Sequence, residues 1–212
     1  MKTYRGKRAC GGIAIGKIRM IQRGESAVKC YHITDTEKES MRFEQARRKA
    51  LEQLKHLYRK AFKEVGVSGA AIFEAHQMLL RDEAYLNLVN HRISTRKENA
   101  EYAVAAAGEE ISARFAAMED AYMRERAADV EDLSHRIISI LHGKVPVGVR
   151  LDEPSIVIAD DLSPSETMQL DREKILAFVT VRGSVNSHTA ILAGSMGIPA
   201  LIGTDVPHIL FS

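Results

Sequence analysis

The longest regular pattern in this chain is helical and covers residues 36–142, where no proline occurs. Apolar residues recur there at steps of three and four, which is the spacing of one face of an α-helix. The clearest stripe runs over residues 43–65, and Gly66 is expected to end it. A second helical segment is predicted over residues 68–93, with a break near Arg81.

Two more helices complete this region. Thr95 and Glu98 form a capping-box pattern, which predicts the start of a third helix that runs to about residue 118. A fourth helix is predicted over residues 120–141, and Gly143 is expected to stop it. Because each apolar stripe covers only one face, we expect the four segments to pack as an antiparallel four-helix bundle.

Strand-like sequence flanks the helical region on both sides. Short apolar runs predict five strands, at residues 18–21, 28–31, 156–159, 175–181 and 200–202. Residues 163–166, Ser-Pro-Ser-Glu, combine a capping box with a proline at the first helical position, so a helix is predicted there. The alternation predicts an α/β domain made of residues 1–34 and 144–212, with the helical block of residues 35–143 inserted into it.

Composition and charge narrow the function classes. The 212 residues include 30 basic and 28 acidic side chains, and a net charge of +2 does not favour a nucleic-acid or membrane partner. No apolar run approaches the ~20 residues of a membrane helix, and the basic N-terminus lacks a signal-peptide pattern. Two cysteines are too few for a disulfide framework. We therefore expect a cytoplasmic protein.

Two kinds of ligand site are not supported by the motifs. Residues 11–18 have the glycine and lysine spacing of a phosphate-binding P-loop, but Ile18 replaces the Ser or Thr that would hold magnesium. A strand-like run also follows where a P-loop needs a helix, so a glycine-rich strand entry is predicted instead. The histidines show no paired metal-ligand spacing, and no metal site is predicted.

The strongest candidate chemistry lies in residues 181–200. His188 stands on a Gly/Ser-rich turn at the start of a short apolar helix, which Asn186 or Ser187 can cap and Gly197 can end. A helix N-terminus offers free backbone N–H groups to an anion, and it disfavours the imidazolium, so the ring stays neutral and nucleophilic. This arrangement suits a phosphoryl acceptor. The alternative is a surface or capping histidine.

A second candidate is the segment of residues 71–83, whose apolar side chains exceed a single helical stripe. Ile72 and Leu79 belong to one face, whereas Met78 and Leu80 lie beyond it. Either this helix packs on two sides, or it keeps an exposed apolar patch edged with acids that suits a basic partner. The sequence leaves both interpretations open.

These segments resemble enzyme I of the bacterial sugar phosphotransferase system, a transferase family of phosphoenolpyruvate-protein phosphotransferases. Residues 12–17 are similar to the family's opening strand, and residues 71–83 and 125–130 to its helical carrier-docking subdomain. Residues 160–167 and the tract around His188 are similar to its phosphohistidine subdomain. The resemblance implies an α/β phosphohistidine (swivelling) domain with an inserted antiparallel four-helix bundle.

The resemblance also implies roles for individual residues. His188 matches the histidine that is phosphorylated at Nε2, and Thr167 matches the threonine whose hydroxyl hydrogen-bonds the resting imidazole. Support for the histidine loop is expected from Gly183, Asn186, Ser187 and Thr189. Contacts with the phosphocarrier protein HPr are expected from five residues of the helical subdomain: His76, Met78, Leu79, Asp82 and Arg126.

Three positions depart from the family pattern near the histidine. Ser184 replaces a usual glycine and Asn186 a usual threonine. Gly194 stands where enzyme I commonly has an arginine that helps to stabilise the phosphoryl group. Residues 67–70 also lack the acidic pair that is often seen there, which is expected to weaken attraction to a basic carrier.

The implied function is that of a phosphoryl carrier domain, which accepts phosphate on His188 and passes it to HPr in sugar uptake. Family members continue beyond residue 212 to a barrel that binds phosphoenolpyruvate and magnesium, so the present residues are expected to be truncated at the C-terminus and to hold no cofactor themselves. Two alternatives remain. One is the phosphohistidine domain of a dikinase-type enzyme, and the other is a catalytically silent HPr-binding fragment.

Overall fold

The computed structural model describes residues 2–21, 28–143, 151–183 and 188–206, and it describes residues 121, 122, 125 and 188 by their backbone alone. The helices found there are α1 (Thr36–Leu79), α2 (Glu83–Ser94), α3 (Ala100–Ala116), α4 (Ala121–Leu141), α5 (Pro164–Gln169) and α6 (His188–Met196). The strands are β1 (Lys7–Cys10), β2 (Lys17–Ile21), β3 (Ser155–Ala159), β4 (Ile175–Thr180) and β5 (Ala200–Ile202).

The chain divides into two compact units. One contains the strands and consists of Met1–Glu25, Lys60–Ala70 and Gly148–Ser212, and the other consists of Ser26–Arg59 and Ala71–Val147. The middle of α1 thus groups with the strands, whereas its two ends group with the other long helices. The predicted domain boundaries near residues 34 and 143 stay a prediction.

The strand unit is a mixed five-stranded sheet in the order β1-β5-β4-β3-β2. Strands β2, β3, β4 and β5 run parallel to one another, and β1 runs antiparallel to β5. The connections from β3 to β4 and from β4 to β5 each lead to the next strand on the same side of the sheet order. Because such parallel connections are right-handed, α5 and α6 lie on the same face of the sheet. The two helices contact each other there. Along β3, Val157 and Ala159 are buried on one face and Ile156 and Ile158 are half-buried on the other.

Most of the predicted strands and the predicted helix at Pro164 are confirmed. Ser163 and Glu166 form the expected capping box at the start of α5. The strand predicted at residues 28–31 is wrong, because the backbone of Tyr31 and its neighbours bonds instead to the connection before α3, for example from Tyr31 N to Asn99 Oδ1 at 3.0 Å. Residues 11–16 also form no strand, and β2 begins only at Lys17.

The predicted break at Gly66 is present as a kink within α1. Gly66 has φ 80° and ψ −168°, a conformation outside the helical region that glycine adopts without a Cβ penalty. The predicted start of the third helix at Thr95 is wrong, since Thr95 ends α2. Helix α3 begins at Ala100, whose N–H donates to Glu39 Oε1 of α1 at 2.7 Å. The Glu39 carboxylate, which belongs to another helix, therefore accepts an N–H at the start of α3 in place of the predicted local cap.

Helices α3 and α4 approach closely along a face of small residues. Ala103 and Ala107 of α3 are completely buried, and Gly108 lies directly against Ser134 of α4. A Cβ placed on Gly108 would lie 2.1 Å from Ser134 Oγ, which is far inside normal contact distance. The small residues of α3 thus form a surface that packs against α4.

An ion-pair cluster joins α1 to the start of α3. The Arg42 guanidinium lies 2.7 Å from both Glu39 Oε1 and Glu101 Oε1, and Asn99 Nδ2 donates to Glu101 Oε2 at 3.0 Å. Burial raises the pKa of the Glu101 carboxyl, but the hydrogen bonds from Asn99, the backbone and Arg42 outweigh it and leave that pKa below its usual value. Burial alone would lower the pKa of Arg42, and its two carboxylate partners raise it overall.

Candidate functional site

His188 opens helix α6 at the carboxyl edge of the parallel strands. Strands β3, β4 and β5 run in the same direction, so the segments that follow them emerge at one edge of the sheet. Helix α6 follows β4 and therefore starts at this edge. Three of the sequence positions singled out here, Ser184, Asn186 and Ser187, lie outside the described residues.

Two glycines fix the path of the chain into and out of this region. Gly183 leaves β4 with φ 103°, and Gly197 follows α6 with φ 66°. Both values lie in the region that favours glycine. The predicted left-handed end of the histidine helix at Gly197 is thereby confirmed.

Thr189 ties the first turn of α6 to the segment that follows β3. Its side chain is buried, and its hydroxyl donates to the carbonyl oxygen of Leu162 at 2.8 Å. Leu162 directly precedes the cap of α5, so this bond holds the starts of α5 and α6 together. Support of the histidine loop by Thr189 was expected from the resemblance and stays a prediction.

Thr167 is completely buried within α5. Its hydroxyl donates to the carbonyl oxygen of Ser163, one turn earlier, at 2.9 Å. A hydroxyl has one hydrogen to donate and lone pairs that accept. With its hydrogen directed at Ser163, the Thr167 oxygen is left to act as an acceptor.

Arg182 is a charged residue at this edge that the sequence analysis did not select. Its N–H donates to the Asp160 carbonyl at 2.7 Å, and its Nε lies 3.1 Å from Asp160 Oδ2. Its side chain is 69% exposed. A signal was present in the sequence, because Arg182 is the only lysine or arginine between Ile175 and Ser212.

A separate groove of about 310 Å³ lies among the long helices, within the second compact unit. It is lined by Ala75, His76, Met78, Leu79, Asp82, Phe115, Met123, Arg126 and Asp129. All five residues expected to contact a carrier protein are therefore brought together, although they are spread over 50 positions of the sequence, from His76 to Arg126. Ala75, Phe115, Met123 and Asp129 were missed. Helical spacing was the available signal for Ala75, which lies one turn before Leu79, and for Met123 and Asp129, which lie three positions either side of Arg126. Phe115 lies on α3, and no spacing relates it to the others.

The segment of residues 71–83 combines both interpretations that its sequence left open. Phe73 and Leu80 are completely buried, as in a helix that packs on two sides. Met78, however, is 60% exposed at the groove. The helix is therefore anchored by one set of apolar side chains and presents another to solvent.

Charged side chains border the apolar part of the groove. Asp82 caps α2 by accepting from the N–H groups of Ala84 and Tyr85 at 2.9 and 3.1 Å. Arg126 Nη1 lies 2.9 Å from Asp129 Oδ2, so the arginine is held by a carboxylate of its own helix. The groove thus has an apolar floor with charges of both signs at its margin.

His76 lies beneath the groove surface and is 1% exposed. Its Nε2 is 3.4 Å from Asp129 Oδ1 and its Nδ1 is 3.9 Å from Asp132 Oδ2. The ring also packs edge-on against Phe73. The predicted contact residue therefore packs against α4 beside the carboxylate that holds Arg126, and a docked protein would meet it only at the floor.

Two classes of feature are absent from the described part of the chain. Over residues 2–21, 28–143, 151–183 and 188–206, no group of three or more His, Cys, Asp or Glu side chains is arranged to hold a metal ion. None of the helices in these ranges is both long and apolar enough to cross a bilayer.

Comparison with known proteins gives matches over nearly the whole chain. Residues 5–126 match the family described as PEP-utilising enzyme, N-terminal, and residues 151–210 match the PEP-utilising enzyme, mobile domain. The chain is 38% identical over 205 residues to a phosphoenolpyruvate-protein phosphotransferase of Bacillus subtilis, covering 96% of this chain and 36% of that one. It is 38% identical over 209 residues to that of Geobacillus stearothermophilus, covering 96% and 35%. The chain therefore spans about a third of the length of these relatives.

Two solved structures share the fold, with its long helices and mixed sheet. The NMR solution structure of Enzyme I (nEIt) superposes with a TM-score of 0.75 at 36% identity, covering 95% of this chain and 82% of that one. The N-terminal domain of Enzyme 1 - Nitrogen gives a TM-score of 0.67 at 25% identity, covering 98% and 86%.

Proposed function

This chain belongs to the family of PEP-utilising enzymes, as a relative of enzyme I, and on that premise we propose that it is a phosphoryl carrier. It accepts a phosphoryl group on His188 and passes it to the histidine of HPr in bacterial sugar uptake. The observation that carries this proposal is the groove, because five residues expected from the sequence to contact HPr line a single cavity.

His188 acts as the nucleophile. A ring nitrogen forms a bond to phosphorus while the bond from phosphorus to the donor breaks, and the same step runs in reverse when HPr is the acceptor. The N-terminus of α6 supports the transferred anion with backbone N–H groups, worth about 0.3–1 kcal/mol when exposed. The transfer therefore depends mainly on positioning and on charge stabilisation by several groups.

Thr167 sets the tautomer of the resting imidazole. Because its hydroxyl hydrogen is given to Ser163, the oxygen is left as an acceptor, which suits the N–H of the ring in the contact that the resemblance implies. An N–H on Nδ1 that is held in this way leaves the lone pair on Nε2, the nitrogen that the resemblance assigns to phosphorylation. Gly183, Asn186, Ser187 and Thr189 complete the support of the loop.

The groove is the docking surface for HPr. Met78 and Leu79 supply an apolar centre, and Asp82 and Arg126 supply charges at its margin, which is the usual composition of a protein interface. His76 contributes from below by packing beside Asp129, the carboxylate that holds Arg126. Methionine suits such a surface because its side chain adapts to different partners.

We propose the following domain assignment for the chain. Residues 35–143 form the inserted antiparallel four-helix bundle that docks HPr, and residues 1–34 and 144–212 form the phosphohistidine domain. The complete enzyme takes its phosphoryl group from phosphoenolpyruvate on a further, magnesium-binding domain and works in the cytoplasm.

The test is transfer from HPr that carries radioactive phosphate on its histidine. We expect label on the wild-type chain and none on the His188→Ala variant. We expect Met78→Asp to weaken HPr binding about tenfold or more, as for a central interface side chain. Met41→Asp is the matched control, because Met41 lies on the same helix, is 58% exposed and does not line the groove.

Three other results would each contradict the proposal. Binding of HPr without label would indicate a catalytically silent docking fragment. Absence of HPr binding would favour a dikinase-type enzyme with another acceptor. Equal loss of binding in the Met41 and Met78 variants would show that HPr does not use the groove.

A further inference from the structure

Arg182 is the cation best placed in the sequence to meet a phosphoryl group on His188. From Ile175 to Ser212 the chain contains no other lysine or arginine, and this stretch includes β4, His188, α6 and β5. Helix α6 has no charged side chain after His188 itself. A bound phosphoryl group is a dianion, and Arg182 is the one residue of this stretch of sequence whose side chain carries a permanent positive charge that could pair with it.

The backbone of Arg182 is fixed at the edge where α6 begins. Its N–H donates to the Asp160 carbonyl at 2.7 Å, and its own carbonyl accepts from Thr180 Oγ1 at 2.8 Å. The first bond joins the segment after β4 to the segment after β3, and the second holds the turn that follows β4. The arginine therefore starts from an anchored Cα at the carboxyl edge, which is where ligands bind in open parallel sheets.

The side chain of Arg182 is held without being buried. Its Nε lies 3.1 Å from Asp160 Oδ2, and the side chain is 69% exposed. Such an exposed pair contributes little to folding stability, so stability does not account for the arginine. The guanidinium has five N–H donors in a planar fork, and the Asp160 contact involves Nε. A planar fork of this kind suits the oxygens of a phosphoryl group.

We propose that Arg182 binds the phosphoryl group carried by His188 and stabilises it during transfer, with Asp160 orienting the guanidinium. This inference rests on the proposed function, because it requires His188 to be phosphorylated. It adds a residue that acts by charge and geometry, and it leaves the nucleophile and the HPr groove as described.

Phosphoramidate tests the contact without HPr. The lone pair of the His188 ring nitrogen forms the new N–P bond, the P–N bond of phosphoramidate breaks, and ammonia leaves with its three protons. Phosphorus NMR follows the signal at His188, which the His188→Ala variant identifies among the other histidines. The rate is compared in the wild type, Arg182→Gln, Arg182→Lys and Arg5→Gln. Arg5 is the matched control because it is exposed and, beside Asp205, lies at the same edge beyond β5.

We expect Arg182→Gln to slow phosphorylation about tenfold, the effect of one charge-assisted contact. The phosphorylation rate of Arg182→Lys should fall between that of Arg182→Gln and that of the wild type, since lysine keeps the positive charge but lacks the planar fork of N–H donors. Arg5→Gln should react at the wild-type rate. Since Arg182 is exposed, we expect all variants to keep the wild-type circular dichroism spectrum.

Two outcomes overturn the inference while the proposed function stands. Equal rates for Arg182→Gln and the wild type would show that the guanidinium does not meet the phosphoryl group. If Arg5→Gln slows phosphorylation as much as Arg182→Gln does, the change in rate depends on the net charge of the protein and not on a contact made by Arg182. If neither phosphoramidate nor phospho-HPr labels His188 in the wild type, the proposed function itself fails and this inference falls with it.

Discussion

Replacing Gly108 by alanine should destabilise the helical unit, although alanine is the better helix former. A Cβ at this position would lie 2.1 Å from Ser134 Oγ and 3.0 Å from Ser134 Cβ. Rotating the hydroxyl away relieves only the first contact, since Cβ is fixed to the backbone of α4. The neighbouring Ala103 and Ala107 are completely buried, so α3 and α4 cannot separate here without losing contacts made by those residues.

The change in the free energy of unfolding caused by Gly108→Ala is the sum of two opposing effects. Overpacking of a well-packed core costs about 1–3 kcal/mol, and a contact more than about 1 Å too short belongs in the upper part of that range. The higher helix propensity of alanine over glycine stabilises the folded state by about 0.8–1 kcal/mol. The net loss is therefore about 1–2 kcal/mol, which lowers the melting temperature of a chain of this size by roughly 2–8 °C.

Thermal and urea unfolding of four proteins tests this estimate: the wild type, Gly108→Ala, Ser134→Ala and the double variant. Removing the Ser134 hydroxyl takes away the 2.1 Å contact, so we expect the double variant to be at least as stable as Ser134→Ala alone. The coupling free energy between the two sites should be about 1–3 kcal/mol. A Gly108→Ala protein that is more stable than the wild type, with no coupling to Ser134, would refute the reasoning.

Two further predictions concern polar groups that are buried or half-buried. Thr189→Val leaves the Leu162 carbonyl without its donor and should cost about 1–2 kcal/mol in urea unfolding, with faster amide exchange in α6; unchanged exchange there would contradict the contact. The pKa of Glu44 is lowered chiefly by its bond from Arg47, and that of Glu101 is also lowered, so both stabilise the fold at neutral pH. Unfolding free energy should fall as pH drops through the acidic carboxyl range, and Glu101→Gln should flatten that fall.

The sequence predicted local features well wherever neighbouring residues supply the physics. The capping box at Ser163 and Glu166 formed as expected, because both partners lie within one turn. Gly66 and Gly197 adopt backbone angles that glycine reaches most easily. The resemblance to enzyme I is confirmed by the family and structure matches, and it rested on whole tracts of sequence.

Predictions failed where a distant residue took over a local role. Thr95 and Glu98 have the spacing of a capping box, yet α3 begins at Ala100 and takes a carboxylate from Glu39. That residue lies on α1, 61 positions away. The apolar run around Tyr31 likewise has strand-like residues, but in the described part of the chain its pairing is limited to an isolated antiparallel bridge between His32 and Glu98.

By itself the sequence determined most of the helices and strands, several of their ends and the histidine that is the candidate phosphoryl acceptor, because periodicity and backbone preference act over a few residues. Only the tertiary structure decided that His76 lies under the groove while Met78 faces it, and that Arg182 is anchored beside Asp160. These outcomes depend on which surfaces meet when helices and strands pack. Residues far apart in the chain settle that together, through burial and charge.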